Sequence, residues 1–372
     1  MKKLFFAIFL TFSFLSLHAQ GGDELDIHIN FQGAFRGEPS DEGLQGRFIA
    51  KDLRLELRGN INENLWYRFR QKLYKPAETG TLDYFGKNVD FMMIGWRFAP
   101  KWKLEAGKFC QHWGGFEYDE VPMYVYQYSD FLDHMDIFFA GAALTFEFAP
   151  GHEMTFELSD NLNDSFRNTY GSPVRLYDAS LKDAAYRLVS GARFPLSYIL
   201  NWNGSFLDGK VQTRWATGLM HQTASDDAFL VTLGQKYSSG TFQFYLDYML
   251  ERDGVDRLGI ASGDLLSGTY RFCDVTASAW IARSNWQFAP GWNLMLAAST
   301  TGVDVPGLAV SAYRRHFGGQ AALEYFPVKG QDLRFFLFCL GDRYNFRENP
   351  AGLQSYGTWR AEIGIMYNLK CF

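Results

Sequence analysis

The chain has 372 residues, a net charge of −5 and an aromatic content of 17%. Its hydrophobic content of 47% argues against intrinsic disorder, because so apolar a chain buries enough surface to order itself. After residue 19 no apolar run reaches the roughly 17–25 residues of a membrane-spanning helix, which excludes a helical membrane protein. The cysteines show neither a CxxC motif nor a metal-like spacing, so we treat them as apolar residues rather than disulfides. They are Cys110, Cys273, Cys339 and Cys371.

The beginning of the chain predicts a secretory signal peptide. Two lysines precede an apolar segment at 4–17, and the small residue Ala19 precedes Gln20. The apolar segment is shorter than a spanning helix requires, so a membrane anchor is disfavoured. No cysteine follows it directly, so lipoprotein processing is not expected. The predicted organisation is a signal peptide at 1–19 and a single exported domain at 20–372.

Successive segments of the exported part alternate between apolar and polar side chains, which is the period of a β-strand with one apolar face. The first such segment runs over 25–35 and the last over 359–369. In the pair at 51–58 and 65–73, leucine and aromatic residues share one face, and bases collect on the other with two acids among them. These bases, the candidate pore-lining residues, are Arg54, Arg58, Arg68, Arg70 and Lys72.

Short turns and long connections alternate along the chain. A Phe-Ala-Pro signature occurs at 98–100, 148–150 and 288–290, and aromatic residues flank it each time. Proline lacks an amide donor and therefore suits a tight turn, while flanking aromatic rings are typical of a membrane interface. The short turns lie at 59–63, 99–101, 149–151, 207–210, 238–240, 289–291 and 327–331. The longer connections include 75–88, 110–136, 161–194, 252–270 and 302–316.

Short turns on one side and long loops on the other are typical of outer-membrane barrels. The seven short turns make seven two-stranded hairpins, and one further strand at each end brings the total to sixteen. In lipid every backbone polar group needs a partner, so the strands must close on themselves. The predicted fold class is therefore all-β: a transmembrane antiparallel β-barrel of about 16 strands.

The connection 110–136, which is the third loop opposite the short turns, is expected to fold into the lumen. Hairpins usually close with about two to five residues, whereas this connection is long, aromatic and free of Lys and Arg. A sixteen-stranded barrel leaves an aqueous channel, and narrowing it would allow selection among solutes. The acids predicted to line this constriction are Glu117, Asp119, Glu120, Asp130, Asp133 and Asp136.

Simpler interpretations remain open for both sets of charges. The acids suit a solvated extracellular loop equally, and a calcium site is a further alternative, although carboxylate spacing alone is weak evidence for it. The bases on the strands at 51–58 and 65–73 are also compatible with structural ion pairs to Asp52, Glu56 and neighbouring strands.

Three segments together carry a resemblance to a known family. They are LRLELRGNINENLWYRFRQKL, the strand LEAGKF at 104–109, and the loop GGFEYDEVPMYVYQYSDFLDHMD. With these segments the chain resembles the phosphate-selective porin (porin O/P-like) family of outer-membrane β-barrels, in the version common in Bacteroides-like bacteria. The resemblance implies a homotrimer of sixteen-stranded barrels, with an inward third loop and lumenal arginines that guide anions. Phosphate-selective members carry bases on that loop, whereas this loop carries only acids and is similar to that of general porins.

The predicted function is a porin in the outer membrane of a Gram-negative bacterium, for passive diffusion of small hydrophilic solutes, with anions such as phosphate as candidates. It needs the lipid bilayer but no cofactor, metal or nucleic acid. An outer-membrane barrel enzyme is an alternative, yet the sequence has no HxxxH and no GxSxG motif. A glycan-binding sandwich or propeller is another, but it would not need aromatic residues at the turns. Heat-modifiable migration on a detergent gel distinguishes a barrel from a sandwich.

Overall fold

The computed structural model describes residues 25–76, 82–178, 185–266, 270–308 and 310–371. The predicted signal peptide at 1–19 lies outside these ranges. Within them, no helix is both long enough and apolar enough to span a bilayer.

Antiparallel strands account for most of the described chain, and short helices occur only in the connections. The helices are Asp130–Asp133, Phe166–Tyr170 and Ile260–Leu265, with a 3₁₀ turn at Pro122–Tyr124. The strands are β1 (Leu25–Ser40), β2 (Gly43–Asn62), β3 (Leu65–Lys72), β4 (Val89–Ala99), β5 (Trp102–Cys110), β6 (Phe138–Ala149), β7 (His152–Asp160), β8 (Val174–Asp178), β9 (Ala185–Val189), β10 (Leu196–Phe206), β11 (Val211–His221), β12 (Asp227–Ser239), β13 (Phe242–Asp253), β14 (Tyr270–Phe272), β15 (Val275–Ala289), β16 (Trp292–Asp304), β17 (Arg314–Tyr325), β18 (Asp332–Phe346) and β19 (Tyr356–Lys370).

Sixteen of these strands form a closed antiparallel barrel, from which β8, β9 and β14 are left out. The first strand pairs with the last, from His28 opposite Lys370 to Gly37 opposite Ala361. Closure removes the free edges that lipid cannot solvate. The predicted closed sixteen-stranded antiparallel barrel is confirmed, and the seven predicted short turns join the hairpins β2–β3, β4–β5, β6–β7, β10–β11, β12–β13, β15–β16 and β17–β18.

The alternation in the sequence places apolar side chains outside the barrel. On β10, the exposed Tyr198 and Leu200 alternate with the buried Ser197, Ile199 and Asn201. An exposed apolar band of this kind faces lipid in outer-membrane barrels, while the buried set faces the interior.

Aromatic rings form a girdle beside the short turns. The ring centroids of Trp102 and Phe146 lie 4.4 Å apart, and those of Trp292 and Tyr325 lie 4.7 Å apart. These rings are large and amphipathic, which suits the interface between acyl chains and headgroups.

The connections opposite the short turns differ from the prediction in two places. The strands β1 and β2 continue beyond the predicted segments and meet at a two-residue turn, which makes a projecting hairpin. Phe35 and Phe48 pack edge to face at 5.1 Å on this hairpin, and Arg47 is ion-paired with Glu38. The connection from β11 to β12 is also short, at residues 222–226.

Two long connections build a small sheet together, which the sequence pattern did not predict. The strand β14 runs parallel to β8, and β8 pairs with β9. Leu162, Tyr170, Leu176, Val255 and Cys273 belong to the buried cluster beneath this sheet. The connections 161–195 and 254–274 are therefore packed against each other.

Candidate functional site: the interior of the barrel

The first part of segment 111–137, which joins β5 to β6, is fixed to β11 and β13. The Gly115 amide donates to the Arg214 carbonyl oxygen at 3.0 Å, and the Asp247 carboxylate accepts from the Phe116 and Glu117 amides, each at 2.8 Å. Gly115 has a φ of +75°, in the left-handed region that glycine adopts without a steric penalty. Asp247 thus satisfies two backbone donors that are buried beside it.

The middle of the segment reaches strands on the opposite wall. The Tyr126 hydroxyl donates to Glu324 of β17 at 2.8 Å, and its ring stacks on Phe338 of β18 with centroids 4.7 Å apart. Lys51 of β2 donates to the Tyr126 carbonyl oxygen at 2.7 Å. In the sixteen-strand order, β17 lies eight strands away from β6 in either direction.

The short helix Asp130–Asp133 anchors the third part of the segment. The Ser129 side chain caps its N-terminus by accepting from the Leu132 amide. Both oxygens of the Asp130 carboxylate accept from the Arg314 guanidinium of β17, at 2.7 and 2.8 Å. This bidentate ion pair is buried. Its two charge-assisted hydrogen bonds also fix the orientation of the two side chains.

His112 fixes the start of the segment through two carboxylates. Its Nδ1 lies 2.7 Å from Glu157 Oε2, and its Nε2 lies 3.6 Å from Glu105 Oε2. Burial lowers the pKa of His112, but hydrogen bonds to Glu105 and Glu157 outweigh it and raise the pKa to about 10. His112 is therefore a cation at neutral pH. Sequence patterns did not identify the role of His112, because Glu157 lies 45 residues away along the chain.

Three of the five predicted pore-lining bases surround one acid that the sequence pattern did not single out. Arg54, Arg70 and Lys72 place a nitrogen 2.5, 3.1 and 2.7 Å from a carboxylate oxygen of Asp90 on β4. Arg54 also donates to Asp52 at 2.8 Å. Three positive charges thus meet two negative ones, and one positive charge remains in excess.

The other two predicted bases have one carboxylate each. Arg68 donates to Glu56 at 2.8 Å, and Arg58 lies 3.5 Å from Asp26. The guanidinium of Arg68 also lies over the Phe91 ring, 3.9 Å from its centroid. All five bases are therefore ion-paired, in agreement with the structural alternative considered for them.

The predicted constriction acids differ from one another in their partners. Asp119, Glu120 and Asp130 are ion-paired with Arg214 of β11, Arg283 of β15 and Arg314 of β17. Glu117 accepts from the Ser129 amide and hydroxyl at 2.8 and 2.6 Å. The remaining two acids, Asp133 and Asp136, are exposed.

Asp133 and Asp136 border the same cavity as Arg54 and Lys72. No acid of the predicted set is ion-paired with a base of β2 or β3 in the described chain, and three of them pair with arginines instead. Their three arginine partners lie on other strands, and Arg314 is 184 residues from Asp130 along the chain. None of these three arginines is close in sequence to the acid with which it pairs. A pattern confined to neighbouring residues therefore could not identify them.

Two cavities border the segment on the side of β2 to β5. One has a volume of about 840 Å³, and Arg54, Lys72 and His134 are among its lining residues. The other has a volume of about 220 Å³ and is lined in part by Arg68 and Arg70. Pro122, Ile137 and Phe138 line both cavities. Four of the five predicted bases thus border open space beside the segment.

One carboxyl group of the segment titrates near neutral pH. Burial raises the pKa of Glu117 to about 7. Asp130 has a lowered pKa: burial alone would raise it, but the ion pair with Arg314 outweighs that effect. Glu117 lies beside Asp247 on β13, and both carboxyl groups are buried.

Comparison with known proteins gives one family and a set of similar structures. The family model for phosphate-selective porin O and P matches residues 24–369. No curated protein matches the chain by sequence. The outer-membrane channel DcaP of Acinetobacter baumannii superposes with a TM-score of 0.63 at 11% identity, covering 94% of this chain and 99% of that one.

Two further solved structures have the same fold. OmpT of Vibrio cholerae gives a TM-score of 0.58 at 9% identity, covering 94% of this chain and 99% of that one. An anion-selective porin from Comamonas acidovorans gives 0.56 at 9% identity, covering 94% and 100%. At such low identities these similarities establish the fold alone.

We expect the packing of segment 111–137 to weaken as the pH rises from 5 to 8. The pKa of Glu117 in the folded protein, about 7, lies above its ordinary value of 4.5. Its contribution to stability is therefore complete below pH 4.5 and is lost as the pH rises through 7. Amide hydrogen exchange, corrected for intrinsic rates, should show protection at 115–129 falling by roughly tenfold to a hundredfold over this range.

Glu117→Gln should flatten this pH dependence and increase protection at pH 8. Asp136→Asn is the matched control, because Asp136 belongs to the same segment but is exposed. Equal pH dependence in the wild-type protein and in Glu117→Gln would contradict the assignment.

Proposed function

Because the chain belongs to the phosphate-selective porin O and P family, we propose that segment 111–137 crosses the lumen of its barrel and favours small anions. The family and the fold make the protein an outer-membrane channel for passive diffusion of small hydrophilic solutes. They favour a channel over an enzyme. The observation that carries the proposal is the hydrogen bond from Tyr126 to Glu324, since β17 lies eight strands from β6.

The remaining passage runs between the segment and the wall formed by β2 to β5. The cavities on that side border Arg54, Arg68, Arg70 and Lys72. Three acids of the segment are neutralised by arginines of other strands, so these acids add little negative field at the passage. The cluster around Asp90 contributes a positive excess there.

A modest field of this kind suits diffusion. One charge acting at about 10 Å in water contributes roughly 0.4 kcal/mol, and confinement in a narrow lumen strengthens it to a few kT. Tighter binding would slow the exit of the solute. The segment 111–137 has no Lys or Arg, so the proposal is a general preference for small anions rather than a phosphate-specific site. The anion-selective porin among the similar structures supports a preference for anions.

The double variant with Arg68→Gln and Lys72→Gln should lower the preference of the channel for anions over cations. Both side chains border the passage, and each substitution keeps a polar side chain while it removes one positive charge. The reversal potential in a tenfold salt gradient should move toward the cation side, and the same shift is expected with phosphate as the anion. Arg252→Gln on β13, ion-paired with Asp274 and largely exposed, is the control. An unchanged reversal potential would exclude the wall bases as the source of selectivity.

Deleting residues 113–133 should raise the single-channel conductance, because the deletion removes the segment proposed to obstruct the lumen. A control deletion of residues 348–352, in the connection between β18 and β19, should leave the conductance unchanged. Heat-modifiable migration checks that both variants form a barrel. If the conductance of a folded 113–133 deletion equals that of the wild type, the segment lies outside the passage.

The proposal includes trimeric assembly and export through a signal peptide cleaved after Ala19. Trimers are what the resemblance implies. The order of lysines, an apolar run and a small residue within 1–19 supports the cleavage. Native mass spectrometry of the purified complex tests both. The expected mass is that of three chains that each begin at Gln20. The mass of a single chain would reject trimeric assembly, and the mass of chains that retain residues 1–19 would reject the cleavage.

A further inference from the structure

Two arginines stand on the outer face of the barrel, at the ends of β17 and β18 away from the short turns. Arg343 lies directly opposite Phe317, whose exposed ring marks the lipid-facing side of β17. Arg315 lies two residues beyond Phe317 on the same face, opposite Asn345. Both arginines are exposed and occupy diagonal positions on neighbouring strands. Like charges in such positions repel each other.

No carboxylate in the described chain is ion-paired with either arginine. Arg343 Nε donates to Asn345 Oδ1 at 3.1 Å, which leaves its charge uncompensated. Asp304, on the neighbouring strand β16, accepts a hydrogen bond from the Ala312 amide instead. On β13, Arg252 is also exposed beyond the apolar band, yet it is ion-paired with Asp274 at 3.0 Å. The pair on β17 and β18 thus has room for an anion from outside the chain.

The height of the pair along the barrel matches a lipid headgroup. Arg343 is eight residues along β18 from Phe335, which is exposed at the level of the short-turn girdle. At about 3.3 Å per residue and a tilt of about 40°, this separation is about 20 Å along the barrel axis. The apolar band of such barrels is about 25 Å tall, so Arg343 starts within about 5 Å of its far edge, a distance that a long arginine side chain spans toward the headgroups. The exposed rings of Phe317 and Trp359 lie at the same edge.

A shallow depression lies on the apolar surface beside the arginines. Gly319 of β17 is paired directly with Gly341 of β18, and both are exposed. A Cβ atom added at either glycine would meet no atom within 4 Å. Next to them, Ala321 is paired with Cys339. The exposed side chains of Phe317, Leu337, Trp359 and Ile363 flank these small residues.

We propose that Arg315 and Arg343 bind the phosphate of a lipid in the outer leaflet, with an acyl chain lying along Gly319 and Gly341. Guanidinium groups bind phosphate oxygens through paired, charge-assisted hydrogen bonds. Two adjacent arginines without acidic partners favour a phosphomonoester, which carries more negative charge than a phosphodiester. The depression gives the same lipid an apolar surface to cover. This site lies on the outside of the barrel and does not depend on which solute the channel passes.

The test uses the full-length mature protein, with native mass spectrometry from detergent micelles that contain a defined lipid. Dioleoyl phosphatidic acid should be retained at least about tenfold more tightly than dioleoyl phosphatidylcholine, since charged headgroup contacts add to the shared acyl contacts. Arg315→Gln with Arg343→Gln should abolish this preference. Arg252→Gln is the matched control and should keep it. Gly341→Leu, whose Cβ atom would meet no atom within 4 Å, adds bulk to the depression and should weaken the binding of both lipids.

Measurements of folding and conductance distinguish an effect at this site from an effect on the channel. The double arginine variant should keep the heat-modifiable migration and the ion selectivity of the wild type, because both side chains point away from the lumen. Undiminished retention of phosphatidic acid by that variant would overturn the proposal. Displacement of the lipid by an equal concentration of inorganic phosphate would overturn it in favour of a free-anion site. Loss of the oligomer in the variant, with lipid retention unchanged, would assign the surface to a second copy of the chain.

Discussion

The need to pair every backbone amide and carbonyl group governs this structure. In lipid an unpaired group costs several kcal/mol, so a sheet survives there only without edges. The pairing of β1 with β19 fulfils this condition, with Lys370 opposite His28 near one end of the ladder. Once the sheet closes, alternation along each strand necessarily assigns one set of side chains to lipid and the other to the interior. The apolar outer band and the charged interior are therefore two consequences of one constraint.

Charges in that interior require partners, because an isolated buried charge is expensive. The partners come from different strands and from segment 111–137. Asp90 on β4 collects Arg54, Arg70 and Lys72, while Asp130 holds Arg314. Such pairs fix geometry and leave only a small net charge on each wall. In the proposed function, selectivity depends on local excesses of charge, of which the cluster around Asp90 is one.

The segment 111–137 contacts the barrel wall through groups that stay charged at neutral pH and through one group that titrates there. The ion pair of Asp130 with Arg314 and the charged His112 persist through neutral pH. The Glu117 carboxyl group, with a pKa of about 7, is buried close to Asp247. The segment thus combines anchors that do not respond to pH with one site where protonation changes the cost of burial.

The sequence alone determined the parts of this protein that depend on neighbouring residues. Alternation identified strands such as β10 and β19, and the Phe-Ala-Pro signature located turns, since each signal lies within a few neighbouring residues. From these and from the turn count, the closed sixteen-stranded barrel followed. The sequence also identified 110–136 as an unusual acidic connection and located the bases of β2 and β3.

Only the tertiary structure decided which charges meet. Tyr126 and Glu324 are 198 residues apart, and Asp130 and Arg314 are 184 apart, so no local pattern relates them. The same holds for Asp90 as the common partner of three bases, and for the parallel pairing of β14 with β8. Each of these contacts arises because closure of the barrel brings distant strands to a shared interior or a shared rim. Local periodicity specifies which face a side chain occupies, whereas closure specifies what that side chain encounters there.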